Sequence, residues 1–246
     1  MGSNSKKPLI IYWSPSRPEE SWDLFYPYPN NLYQELLQKR DPRSGRESFL
    51  NCPTVNSRLK STFVFKNSCH SEFSYDFTNP DNPNVTFVKG IYAEAYKPSG
   101  IYGGAYVSIA LRWLFFAEEE VTIMTNSPMF HEPTDIVKQG MVPSGRYDPS
   151  KWFRPLSYEI QMYHEKGYVT INEGDPLFYL EVLTDRPIIM KRFAVNQKLA
   201  EYHRHCTNAL HHFGVLRPLT EKYQQFKASH MDKMVLQEIK NTLVEE

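Results

Sequence analysis

Cysteine is scarce in this chain: Cys52, Cys69 and Cys206 are the only three in 246 residues. They are widely spaced, odd in number and match no CxxC arrangement, which argues against a disulfide framework and a zinc ribbon. A reducing, cytoplasmic setting without secretion is the simpler expectation. An excess of either charge is also lacking, with 28 Lys plus Arg against 28 Asp plus Glu. No overall field therefore favours nucleic acid or an anionic membrane, although a local basic patch stays open. Long apolar runs are missing too. Pro8 to Trp13 is too short for a signal h-region or a membrane span, and Lys6 stands where a myristoylation signal needs Ser or Thr. Glycine (11) is outnumbered by proline (18). The most Gly-rich stretch, Ser99 to Gly104, is neither GxGxxG nor a Walker loop and reads as a turn or bulge. There is no GxSxG, and Cys69 and His70 are neighbours that would point to opposite faces of a strand, which counts against nucleophilic catalysis.

Aromatic residues are abundant, with 16 Tyr, 15 Phe and 4 Trp. With short apolar alternations and many prolines, they indicate a β-rich protein. The organising stretch is Trp152 to Phe193, which resolves into strands Ser157 to Tyr163, Tyr168 to Asn172, Leu177 to Leu183 and Ile188 to Phe193. Tyr158, Ile160 and Met162 fall on one face against Glu159, Gln161 and Tyr163, the period of a half-buried strand. Each connection carries Gly, Pro or Asp, so a four-stranded meander paired in sequence order is expected. Earlier strands are expected at Leu9 to Trp13, Lys60 to Lys66, His70 to Phe77 and Val85 to Lys89. Tyr106 to Phe116, the least polar run, reads as a central strand buried on both faces, with a helix left open. Val121 to Met124 is its expected hairpin partner, and Asn126 to Lys151 reads as irregular.

Helical spacing appears at Leu32 to Lys39, capped by Asn30 or Asn31. It returns after Asn196, where Leu199, Tyr202 and Cys206 form a stripe running to about Phe213 and Gly214. Pro218 and Ser229 are read as the starts of two further helices, the last aligning Val235, Ile239 and Leu243. The expected architecture is an antiparallel β-sandwich or jelly roll over residues 1–194 with a helical segment over 195–246, packing on it or serving as an interaction arm.

Two constellations could carry chemistry. His203, His205, His211 and His212 crowd one helix near Cys206. His203 and Cys206 have metal-ligand spacing, yet Cys206 lies on the apolar stripe, where a thiol acts as a small hydrophobe. His70 and Glu72, with His131 about sixty residues later, match in type the two-histidine, one-carboxylate set that holds Fe(II). That spacing resembles 2-oxoglutarate-dependent oxygenases, whose jelly-roll fold also suits the strand count. The resemblance implies Fe(II) on His70, Glu72 and His131, and a 2-oxoglutarate carboxylate on Arg146. It departs from the family in having Glu where Asp is usual, in the distance of Arg146 from His131, and in the four later strands.

Asn51-Cys52-Pro53, the run Arg58 to Phe65 and Gly174-Asp175-Pro176 resemble segments of β-rich proteins encoded by large tailed bacteriophages. That resemblance implies a viral origin and no chemistry. The leading expectation is thus a structural or interaction protein needing no cofactor, with a protein partner or self-association. A non-haem iron oxygenase is the alternative.

Overall fold

The strands are held between two layers of helix, and the hydrophobic order of the sequence explains why. The structure is a computed structural model describing residues 6–16, 26–40, 49–79, 82–91, 93–96, 106–208 and 219–244. The first part of the chain gives β1 (Leu9–Pro15), β2 (Asn30–Asn31), α1 (Leu32–Gln38), a 3-10 turn (Phe49–Asn51) and α2 (Pro53–Lys60). Next come β3 (Thr62–Lys66), β4 (Ser71–Asp76), β5 (Asn84–Lys89), β6 (Ala93–Tyr96), β7 (Tyr106–Ala117) and β8 (Ile123–Asn126). The middle holds α3 (Asp135–Gln139), β9 (Gly140–Met141), β10 (Arg146–Tyr147), β11 (Leu156–Met162) and β12 (Lys166–Ile171). β13 (Pro176–Val182) and β14 (Ile188–Arg192) precede α4 (Gln197–Asn208), α5 (Leu219–Ala228) and α6 (Met231–Asn241). The protein is mainly β, with 38% of the described residues in strand against 27% in helix, a sandwich with a C-terminal helical appendage.

One sheet runs β14-β1-β7-β11-β9 with β6 beside β7, a second runs β10-β8-β13-β3-β2, and a third is β12-β4-β5. Pairing is antiparallel except between β1 and β14, which are parallel from Leu9 opposite Ile188 to Trp13 opposite Arg192. Strands buried on both faces carry near-continuous apolar sequence because alternate residues enter different cores. In β1, Leu9, Ile11 and Trp13 enter the central core between sheets, while Ile10 and Tyr12 meet the C-terminal helices. β7 changes character along its length. Tyr106 to Arg112 alternates, whereas Trp113 to Ala117 is wholly buried, with Leu114 and Phe116 beneath the helices. β3 divides likewise: Phe63 and Phe65 face the central core, and Val64 faces α1 and α2.

The core is strongly aromatic. Phe65 stacks on Phe178 with centroids 4.8 Å apart, and Trp113 meets them edge-on at 5.8 and 5.0 Å. These offset and T-shaped pairs add geometric selection to simple area burial. Tyr158, also in this layer, donates its hydroxyl to the Leu177 carbonyl at 3.0 Å, so the polar tip is satisfied inside the core.

Several expectations hold locally. Asn31 caps α1 by accepting from the Gln34 N–H, and Asn196 accepts from the Leu199 N–H at the start of α4. Gly174 adopts φ +84° in the turn before β13, where Asp175 accepts from the Asn172 N–H. The expected meander pairing is corrected, although its four strands are present. β11 pairs with β7 and β9, β12 with β4, β13 with β3 and β8, and β14 with β1. A tight turn fixes that two strands are close in space, not that they share a ladder, and here the chain changes sheet at every turn. β8 is likewise a partner of β13 and β10 rather than of β7.

Other differences lie in short elements. α2 and α3 fall within stretches without a readable helical period. The segment expected to be irregular contains α3, β9 and β10. Ser229 does not cap α6: His230 is the N-cap residue at φ 58°, and the Ser229 hydroxyl donates to the Phe226 carbonyl instead. Ser99 to Gly104, Pro218 and the helix end expected near Phe213 and Gly214 lie outside the described residues.

Candidate functional site

The sequence placed His70, Glu72 and His131 in one set; the structure divides them between two places. β4 buries Ser71, Phe73 and Tyr75, so its period turns Glu72 outward. Tyr168 of β12 lies diagonally across the ladder from Glu72, and Lys89 of β5 lies opposite it. The Glu72 carboxylate meets the His70 ring and the Tyr168 hydroxyl. The bond from His70 comes first in lowering the Glu72 carboxyl below its usual range, with Tyr168 next, and Glu72 in turn raises the Tyr168 hydroxyl.

His131 follows β8 in the chain and is held against α1 and β13. Its Nε2 lies 2.9 Å from Glu35 Oε1, and its Nδ1 lies 2.6 Å from the Tyr179 hydroxyl. The Phe130 N–H donates to that same hydroxyl at 3.1 Å. The ionised Glu35 can only accept, so a neutral His131 carries its hydrogen on Nε2 and its Nδ1 accepts from the Tyr179 hydroxyl. Glu35 Oε1 also receives Lys66 at 2.8 Å and Lys39 at 3.1 Å. Burial pushes the Glu35 carboxyl up, but the bonds from Lys66, His131 and Lys39 outweigh it and hold the group at about 2. Burial dominates at His131, lowering it against the pull of Glu35, and raises Tyr179. Glu35 Oε2 is buried with no hydrogen-bond partner among the described residues.

His131 is therefore engaged by Glu35 and Tyr179 rather than by His70 and Glu72. Among the described residues no group of three or more His, Cys, Asp or Glu is placed to hold a metal ion. Arg146 lies on β10 at the far edge of the second sheet, its Nε 3.2 Å from Met124 Sδ. Cys206 is buried, and burial pushes its thiol up to about 11, the behaviour of an inert hydrophobe. His211 and His212 lie outside the described residues.

Sequence reasoning missed Glu35 itself. Its signal was available: Glu35 lies three residues after Leu32, on the buried side of an amphipathic helix, where a carboxylate demands partners. A second missed network joins Arg58 of α2 to Glu181 of β13 at 2.9 Å, with Asn126 donating to the same oxygen at 3.2 Å. It floors an open cavity of about 860 Å³ between α2 and the turn after β13. Arg186, on that rim, is already bound to Glu119 at 2.7 Å and to the carbonyls of Lys7 and Pro8. These charges are spent on the fold.

Comparison with protein-family models, with curated proteins and with solved structures finds no match for the chain.

Proposed function

We propose that the chain is a structural or interaction protein, of the kind encoded by tailed phages, that assembles by pairing the outer edge of β5 with β5 of a second copy. The observation that carries this reading is the edge itself. Five of the six β5 residues are exposed, Val88 among them at 52%. β5 pairs with β4 alone among the described residues. Proteins usually blunt such edges, and β2, β9 and β10 are each two residues long. β5 is not shortened in this way.

The strand is also complementary to itself. A twofold antiparallel register centred on Thr86, which keeps paired residues on one face, sets Val88 against Asn84 and holds the two Lys89 side chains apart, so like charges do not meet. The free thiols of Cys52, Cys69 and Cys206 fit a reducing compartment, and no helix among the described residues is long and apolar enough to cross a membrane. No cofactor is required. The test is molar mass by light scattering over a wide concentration range, for wild type and Val88→Lys. A wild-type dimer whose dissociation constant rises at least tenfold in the variant supports the reading. A monomer throughout, or a dimer indifferent to Val88→Lys, removes it.

A further inference from the structure

α5 has a lysine on its buried side. Lys222 and Phe226 are four residues apart and so share a helical face, and each is 5% exposed. Lys222 makes no hydrogen bond or ion pair with any described residue, yet its ammonium nitrogen is not sealed in protein. It lines a cavity of about 560 Å³ bounded by Trp152 and the C-terminal helices. The cavity wall is mainly apolar, built from Trp152, Cys206, Phe226 and Met231. The Asp232 carboxylate of α6, outside the cavity lining, meets Lys227 through Oδ2 at 3.2 Å, while its Oδ1 is buried without a hydrogen-bond partner among the described residues.

A cation without a partner beside apolar surface is costly, and an incoming anion offsets that cost through a charge-assisted hydrogen bond. The volume lies within the span of roughly 300–1,000 Å³ found for small-molecule sites. Metal binding is disfavoured, since an ammonium repels cations and the buried Cys206 thiol stays protonated. We infer that this cavity binds a small amphipathic carboxylate, its head on the Lys222 ammonium and its hydrocarbon tail against Trp152, Cys206, Phe226 and Met231. The site is independent of the β5 edge and adds a ligand class to an assembly protein.

Trp152 provides the reporter, since its indole lines the cavity and packs edge-on against Tyr223 at 5.0 Å. The full chain is titrated with sodium octanoate, octyl phosphate, 1-octanol, sodium acetate and inorganic phosphate, read by calorimetry and tryptophan fluorescence. Octanoate is expected to bind at least tenfold more tightly than each of the others. Lys222→Met should abolish its advantage over octanol, while Lys222→Arg keeps it. Ser229→Trp, at the cavity rim, should block binding without moving the unfolding midpoint, which keeps the inference testable if Lys222→Met fails to fold. Octanoate binding no tighter than octanol, unchanged in Ser229→Trp, or absent would overturn the site. Tighter binding of octyl phosphate would overturn the assignment of a carboxylate.

Discussion

The same three side chains, histidine, glutamate and tyrosine, meet twice in this protein, and the two meetings differ in almost every physical respect. His70, Glu72 and Tyr168 lie on the outer face of a three-stranded sheet, with the His70 and Glu72 side chains 37% and 26% exposed. His131, Glu35 and Tyr179 lie between a helix and the second sheet, where the His131 and Glu35 side chains are 8% and 6% exposed. Water competes for every bond in the first trio, so its geometry contributes little. In the second, each polar atom that loses its partner remains buried without one. The two trios are alike in chemical type, and burial makes them different.

The contrast is broken most directly at the carboxylates. Glu35→Gln leaves the largely buried Lys66 without its counter-charge and should cost about 3 kcal/mol in urea unfolding, as expected for one partner removed from a buried pair. Glu72→Gln should leave the same unfolding curve unmoved. Equal effects would mean that burial does not separate the trios.

Acid titration sharpens the difference. The folded Glu35 carboxyl titrates near 2 against an ordinary 4.5, so the unfolded chain takes up the proton first. Its contribution, about 3 kcal/mol by linkage, is present above pH 4.5 and lost as pH falls from there towards 2. His131 acts in the same sense at higher pH. Its folded value lies below the usual 6.5, so the unfolded state again binds the proton first and stability drops as pH falls below that value. Glu35→Gln should flatten the lower part of the stability profile, and Glu72→Gln should retain most of it.

The smallest effect is expected at the tyrosines. Tyr179→Phe strips the Phe130 N–H and His131 Nδ1 of one shared partner and should cost about 1–2 kcal/mol. Tyr168→Phe removes one solvated bond and should be neutral. In the wild type, nitrogen NMR should find His131 protonated at Nε2, the tautomer that its two bonds require; protonation at Nδ1 would contradict the relay of donors.

Much of the fold was legible residue by residue. The apolar run Leu9 to Trp13 and the period-two stretches at Lys60 to Lys66 and Ser157 to Tyr163 became β1, β3 and β11, and the Asn31 and Asn196 caps were readable because a cap is satisfied within four residues. α2 escaped because Leu59 is the only buried residue it supplies, too little to impose a helical period. The candidate site fared less well. His131 was noticed, but its partner Glu35 lies 96 positions away in the chain, and a histidine's spacing says nothing about which distant carboxylate the fold will deliver. Lys222 gave a faint signal, a cation in register with Phe226 on a helix whose other side is solvated.

By itself the sequence determined most of the longer strands, the capped starts of α1 and α4 and the aromatic residues that fill the centre, because side-chain period, turn chemistry and capping act over a few residues. Only the tertiary structure decided which strands share a ladder, which face of each is doubly buried, and which glutamate each histidine meets. Those outcomes depend on the burial of whole layers against one another, a non-local free energy carried by no short segment.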